Sequence, residues 1–454
     1  MTSIARPDRP ARSAFTRRAA AAFALASLAL SAPAHAGLSA PEKTIAATVD
    51  AEYERHVALL ERLVNQNSGS RNLDGVDKVG RMMRTELESL GFTVKWVPMA
   101  VAGRAGHIIA THKGDGRGRR MLLIGHLDTV FEPDSPFQRF VRTRDGATDR
   151  AEGPGAGDDK GGMVVMVAAL RAMKAAGTLD RADIEIVLTG DEEDVGDPVA
   201  VARADLIAAG RRADVALDFE GLIVIDGQDW GSIARRSSNS WTVRVKAKGG
   251  HSSGVFSPAA GDGAIYALAR ILAEFRAELP EPNLTFNTGL IAGGAQAALD
   301  KDGIRATAAG KTNIIPETAI ARGDLRTLSD EQTERVKARM QAIVARPRAG
   351  ATAELSFDPG GYPAMAPTPG NRALLAALNT VNADLGLKPM PELDPLKRGA
   401  GDISFVAGMV DGLAGLGTDS WGDHAPGETV DLDSIRRQAK RAAILMTRLA
   451  RTPR

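Results

Sequence analysis

A hydrophobic stretch from Met121 to Ile124 breaks at Gly125 and delivers two polar residues in Gly125-His126-Leu127-Asp128-Thr129-Val130. A neutral imidazole is a common metal ligand, and a carboxylate close behind it fixes the ring and its tautomer. Taken alone, His126-x-Asp128 reads as well as a loop histidine beside a solvated aspartate, because short motifs recur by chance. A metal reading therefore requires further ligands elsewhere in the chain.

Four other places carry suitable groups. Gly153-Pro154-Gly155-Ala156-Gly157-Asp158-Asp159-Lys160-Gly161-Gly162 is a glycine-rich loop opening a helix, with Asp158 just ahead of the helix N-terminus. By itself Asp158 is an ordinary N-cap, and the absent Gly-Lys-Ser/Thr ending argues against a phosphate loop. Asp191-Glu192-Glu193-Asp194 follows an apolar strand; four adjacent acids repel one another unless a cation or strong donors neutralise them. Phe219-Glu220-Gly221 ends the next strand in the same way. Near the C-terminus, Gly399-Ala400-Gly401-Asp402 precedes Trp421-Gly422-Asp423-His424-Ala425-Pro426-Gly427-Glu428, a Gly/Pro-rich loop of the kind that carries function. Of seven histidines, His56, His107 and His112 lie in helix or strand contexts and read as structural.

These groups need a scaffold that collects strand ends. From about residue 44 the pattern alternates helix and strand. Helices are predicted over 47–66, 79–90 and 162–176, and strands over 93–97, 107–111, 121–124, 184–188 and 215–219. That alternation predicts an α/β fold, a mostly parallel sheet with helices on both faces, whose ligand crevice lies beyond the carboxyl ends of the strands. The character changes at about residue 233. Strands over 241–248, 284–291 and 319–325 and helices over 263–278 and 330–345 predict an inserted α+β domain spanning 233–348. The catalytic domain then comprises 37–232 and 349–454.

Apolar residues make up 44% of the 454-residue chain, charged residues 25%, and the net charge is +1. With aromatics at 4%, no basic face suits nucleic acid, and no membrane partner is expected. Arg6, Arg9, Arg12, Arg17 and Arg18, the apolar run Ala19 to Leu30 and Ala34-His35-Ala36 predict a signal peptide over 1–36, cleaved near Ala36, and a periplasmic or secreted product. Thr16-Arg17-Arg18 leaves twin-arginine and general secretory export both open. The chain has no cysteine, so a metal here takes His and carboxylate ligands.

Together, His-x-Asp, the Asp-Asp-Lys-Gly-Gly loop, Asp-Glu-Glu, Phe-Glu, Lys248-Gly249-Gly250-His251 and the late His424 resemble the M20 family of zinc exopeptidases, and within it the glutamate carboxypeptidase type. The resemblance runs over nearly the whole mature chain, inserted domain included. It implies two zinc ions bridged by Asp158 and a water or hydroxide, one held by His126 and Glu220, the other by Glu193 and His424. Asp128 would orient His126, and Glu192 would be the general base. On that reading the +4 of two ions balances Asp158, Glu193, Glu220 and a hydroxide. Cobalt or manganese would suit the same donors.

The resemblance also makes the insert a dimerisation domain, with His251 steadying the oxyanion in the partner's site. Asn313, in Thr312-Asn313-Ile314-Ile315-Pro316, and Arg326, in Asp324-Leu325-Arg326, would grip a substrate carboxylate, which suits a planar guanidinium. Two departures stand out. Asp194-Val195 lengthens the loop after Glu193 by one residue, and Ser252-Ser253 replaces the family's usual Ala-Gly. The expected function is an exported di-zinc carboxypeptidase acting on short peptides or N-acyl amino acids, as a homodimer. The alternatives are an aminoacylase or dipeptidase of the same fold, or a non-catalytic peptide-binding protein.

Overall fold

The strand Met121–His126 is the axis of the molecule, and its side chains divide by parity. Met121 and Leu123 pack with the helices Lys160–Ala175 and Leu432–Leu449 on one face, while Leu122 and Ile124 meet Leu206, Ala209 and Val406 on the other. This period-two alternation with apolar residues on both sides marks a strand buried on both faces. Truncating one such residue, Leu123→Ala, would cost about 2–5 kcal/mol. The computed structural model describes residues 37–454 except Ala147; the expected signal peptide, 1–36, lies outside the described residues.

Six strands form the sheet in the order Thr93–Pro98, Gly106–His112, Ile184–Thr189, Met121–His126, Val215–Asp218, Gly412–Leu413. The last three junctions are parallel, and only Gly106–His112 runs against the rest. The mostly parallel sheet with helices on both faces is therefore as expected. The single helix predicted over 47–66 is instead two, Ala40–Ala51 and Tyr53–Val64, parted at Glu52. The first begins at Ser39, whose capping box with Glu42 is an N-terminal signal.

In the insert, the strands Thr285–Gly294, Thr318–Arg326, Asn239–Ala247 and Ala351–Phe357 form an antiparallel sheet in that order. The helices Ala264–Glu278 and Asp330–Val344 cover one face, burying Trp241, Val243, Val245, Ala319, Ala321 and Leu325. Alternation places Arg322, Asp324 and Arg326 on the opposite face. The edge strand Ala351–Phe357 lies past residue 348, so this sheet runs beyond the boundary drawn from sequence. The two connections to the catalytic domain pair with each other, Arg235 with Met365 and Ser238 with Tyr362. A hairpin, Gln296–Leu299 with Ala306–Ala309, was not anticipated.

Candidate metal centre

Three parallel strands deliver the site. His126 ends Met121–His126, Asp191 to Glu193 follow Ile184–Thr189, and Glu220 lies two residues past Asp218. Asp158 precedes the helix Lys160–Ala175, whose second glycine is sterically required. A Cβ on Gly162 would collide with the carbonyl oxygen of Phe219, so the helix starts in backbone contact with the Phe219–Glu220 turn. His424 approaches from the late loop with a left-handed backbone, φ 65°.

Asp158 lies between the two histidines. Its Oδ1 is 2.9 Å from His126 Nε2 and its Oδ2 is 3.2 Å from His424 Nε2. His424 Nε2 is also 3.1 Å from Glu193 Oε2. Ligand atoms of His126, Asp158 and Glu193 all fall within 4.8 Å of one another.

Asp128 holds this group from below. His126 Nδ1 is 3.1 Å from the Asp128 carbonyl oxygen and 3.4 Å from its Oδ1, which leaves Nε2 for the site. The Asp128 carboxylate also accepts the Ser70 hydroxyl at 2.6 Å and the backbone N–H groups of Glu192 and Glu193 at 3.0 and 3.1 Å.

The electrostatics fit a divalent cation. Burial, then the charge of Asp158, pushes Glu193 up to about 7, and its Oε1 is buried without a partner. Burial and the charge of Glu220 push Glu192 well above the carboxylate range. Burial also raises Asp159, whose Oδ1 is unpartnered. His424 is raised to about 11 by its bonds to Asp158 and Glu193. Buried carboxylates that resist ionisation, facing histidine nitrogens, are relieved by a bound cation. His126, Asp158, Glu193 and His424 would hold it.

Glu220 stands apart from that group. Its Oε2 is 2.5 Å from Arg235 Nη1 and 3.6 Å from Arg398 Nη2, and Arg235 also reaches Asp218 at 3.1 Å. These two arginines add positive charge beside Glu220 that the balance of two ions against four anions does not include. Arg235 Nε further donates to the Gly399 carbonyl at 3.0 Å. Arg326 comes from the insert to the same loop, its Nη1 3.8 Å from where a Gly399 Cβ would sit, with Nε on Asp324 at 3.0 Å. His251 and Asn313 are brought together on the insert, exposed to solvent. Asn313 C=O accepts the Ser252 N–H at 3.0 Å, and His251 Nδ1 contacts Ser253 Oγ at 2.9 Å. Neither hydrogen-bonds to the His126 group.

Two supports escaped the sequence reading. Glu428 is buried, with Oε1 accepting the N–H groups of Gly157 and Asp158 at 2.8 and 3.0 Å and Oε2 that of Gly155 at 2.9 Å. Its position four residues after His424 was the available signal. Lys160, buried, donates to the Gln66 carbonyl at 3.0 Å, and burial lowers it to about 7.

Residues 122–448 match the family model of peptidase family M20/M25/M40. The chain belongs to this family. It is a metal-dependent hydrolase, as the ligand cluster and the family match together indicate. Carboxypeptidase G2 of Pseudomonas sp. strain RS-16 is 29% identical over 277 residues, covering 61% of this chain and 60% of that protein. A succinyl-diaminopimelate desuccinylase of Azoarcus sp. strain BH72 is 29% identical over 340 residues, 72% of this chain and 82% of the relative. The fold is shared with the aminopeptidase PepT of Bacillus cereus, at TM-score 0.68 and 20% identity over 88% of this chain and 99% of that one.

Proposed function

We propose that this hydrolase is an exported di-zinc carboxypeptidase that cleaves the amide bond of short peptides or N-acyl amino acids. The observation that carries the reading is the Asp158 carboxylate placed between His126 and His424, with Glu193 against the second histidine and Glu192 beside it. Zinc suits imidazole and carboxylate donors, and Glu220 would complete its set by exchanging Arg235 for the metal. Bound divalent cations would activate a water and polarise the scissile carbonyl. Glu192, next to the candidate ligand Glu193 and not one of the ligands, would take the water's proton and pass it to the leaving nitrogen as the C–O bond forms and the C–N bond breaks.

Arg326 beside Gly399 supports a substrate with a free carboxylate, because the guanidinium offers a charge-assisted paired hydrogen bond. Exposed Phe256, Ile265, Tyr266 and Ile291 on the insert support a homodimer. Among the described residues no helix is long and apolar enough to cross a membrane. The test is turnover of N-acyl-glutamate, carboxylate-terminated dipeptides and their C-terminal amides, with metal content measured on the same sample. The reading expects two zinc ions per chain and cleavage that is lost on amidation. Cleavage confined to free-amine dipeptides, or to acyl amino acids regardless of amidation, would favour the dipeptidase or aminoacylase alternative. No cleavage of the panel by metal-loaded protein would overturn the reading.

A further inference from the structure

The backbone is held on both sides of the Glu192 Cα. Asp128 accepts its N–H at 3.0 Å, and the C=O accepts the hydroxyl of Tyr362 at 2.7 Å. The same hydroxyl accepts a hydrogen bond from Arg203 Nη2 at 2.9 Å. Arg203 is fully buried and fixed by three further bonds. Nε reaches Asp402 Oδ1 at 2.7 Å, Nη1 reaches Asp191 Oδ1 at 2.6 Å, and Nη2 reaches the Asp191 carbonyl at 3.0 Å. Asp402 accepts the Thr189 hydroxyl through its other oxygen at 2.5 Å. A guanidinium satisfied this fully has a single orientation, so it aims the phenol oxygen it touches.

The Tyr362 ring is also wedged by packing. It meets Phe405 edge-on with centroids 4.9 Å apart, and the Arg203 guanidinium lies 5.8 Å from its centre. Burial pushes Tyr362 above its ordinary range, so the hydroxyl keeps the proton it donates to the Glu192 carbonyl. Its backbone is paired with Ser238, where the connections into and out of the insert run side by side.

We propose that Tyr362 is a positioning residue for the general base. Its hydroxyl fixes the carbonyl on one side of the Glu192 Cα while Asp128 fixes the N–H on the other, and the backbone clamped at both flanks aims the carboxylate. The proposal rests on the hydrolytic role given to Glu192 above. A base has to lie within hydrogen-bond reach of the proton it takes, and a misplacement of about 1 Å can cost about 10²-fold in rate. Because Tyr362 belongs to the outbound connection, the base is tied to the segment that carries the insert.

Tyr362→Phe removes the hydroxyl and keeps the ring between Arg203 and Phe405, so the fold is retained. Two readouts are needed: steady-state kinetics with metal content, and hydrogen–deuterium exchange over residues 189–196. The expected result is a kcat lower by about 10- to 100-fold with KM within about threefold and full metal content. Exchange in the 189–196 segment should be faster in the variant. Unchanged exchange, or faster exchange with unchanged kcat, would overturn the proposal, as would a loss of activity that added zinc restores. Inactive wild-type protein would defeat the hydrolase reading and this role with it. Active wild type beside an equally active Tyr362→Phe variant would defeat this role alone.

Discussion

Asp128 Oδ1 accepts the backbone N–H of Glu192 at 3.0 Å, so the residue behind His126 also holds the proposed base. The same carboxylate serves His126, Ser70 and the Glu193 N–H, which couples two strand ends through one side chain. Asp128→Ala should lower turnover and zinc affinity together by about 10- to 100-fold, as removal of an outer partner of a metal site does. Titration of the apo variant with zinc, followed by kinetics at saturation, checks this. An affinity loss with full activity at saturating metal would confine Asp128 to the histidine.

Glu428 accepts three N–H groups of one loop, those of Gly155, Gly157 and Asp158, and burial pushes its carboxyl up to about 7. Glu428→Gln puts an amide NH₂ where one oxygen now accepts, so a donor meets a donor. The Gly155–Asp158 loop should lose its register, and zinc affinity should fall by about tenfold or more. Competition with a chelator of known affinity measures it. Unchanged affinity would show that the loop is held by its own backbone.

His56 supplies the pH prediction. It lies on Tyr53–Val64, buried, both ring nitrogens without partners, and burial followed by the charges of Arg171 and Arg55 depresses it to about 4. The folded protein thus prefers the neutral ring. The contribution is complete above the unfolded value of about 6.5 and is lost as pH falls toward about 4. Urea unfolding at about pH 7.5 and about pH 5 should show a loss of about 2 kcal/mol from this residue. His56→Leu should flatten that part of the slope; an unchanged slope would place the acid sensitivity elsewhere.

The candidate ligands were legible because His126, Glu193 and Glu220 follow strands, Asp158 precedes a helix and His424 lies in a Gly/Pro-rich loop, each beside a glycine or acid run that local rules flag. His126, Asp158, Glu193 and His424 come together as the motif order implied. Their supports were not legible, because their meaning lies across the chain. Tyr362 and Glu192 are 170 residues apart, and neither Tyr362 nor Arg203 has a local pattern to mark it. The arginines around Glu220 were hidden for the same reason: Arg235 and Arg398 are long, buried cations whose carboxylate partners sit on another strand end. In the fold, the strand Ala351–Phe357 was missed because its apolar positions begin with two alanines and alternate with Thr352, Glu354 and Ser356, the pattern of a half-exposed edge with weak hydrophobic signal. The Glu52 break between the first two helices carries no composition cue such as Pro or Gly.

In the proposed mechanism the His126–Asp158–Glu193–His424 cluster holds the metal while the adjacent Glu192 moves the proton. Glu192→Ala separates the two, because it removes the base and leaves every ligand. The decisive measurement is zinc stoichiometry together with single-turnover hydrolysis of a carboxylate-terminated substrate by wild type and variant. Two zinc ions are expected in both proteins, with a rate lower by at least about 10²-fold in the variant. Full metal content with wild-type turnover in Glu192→Ala would contradict that mechanism.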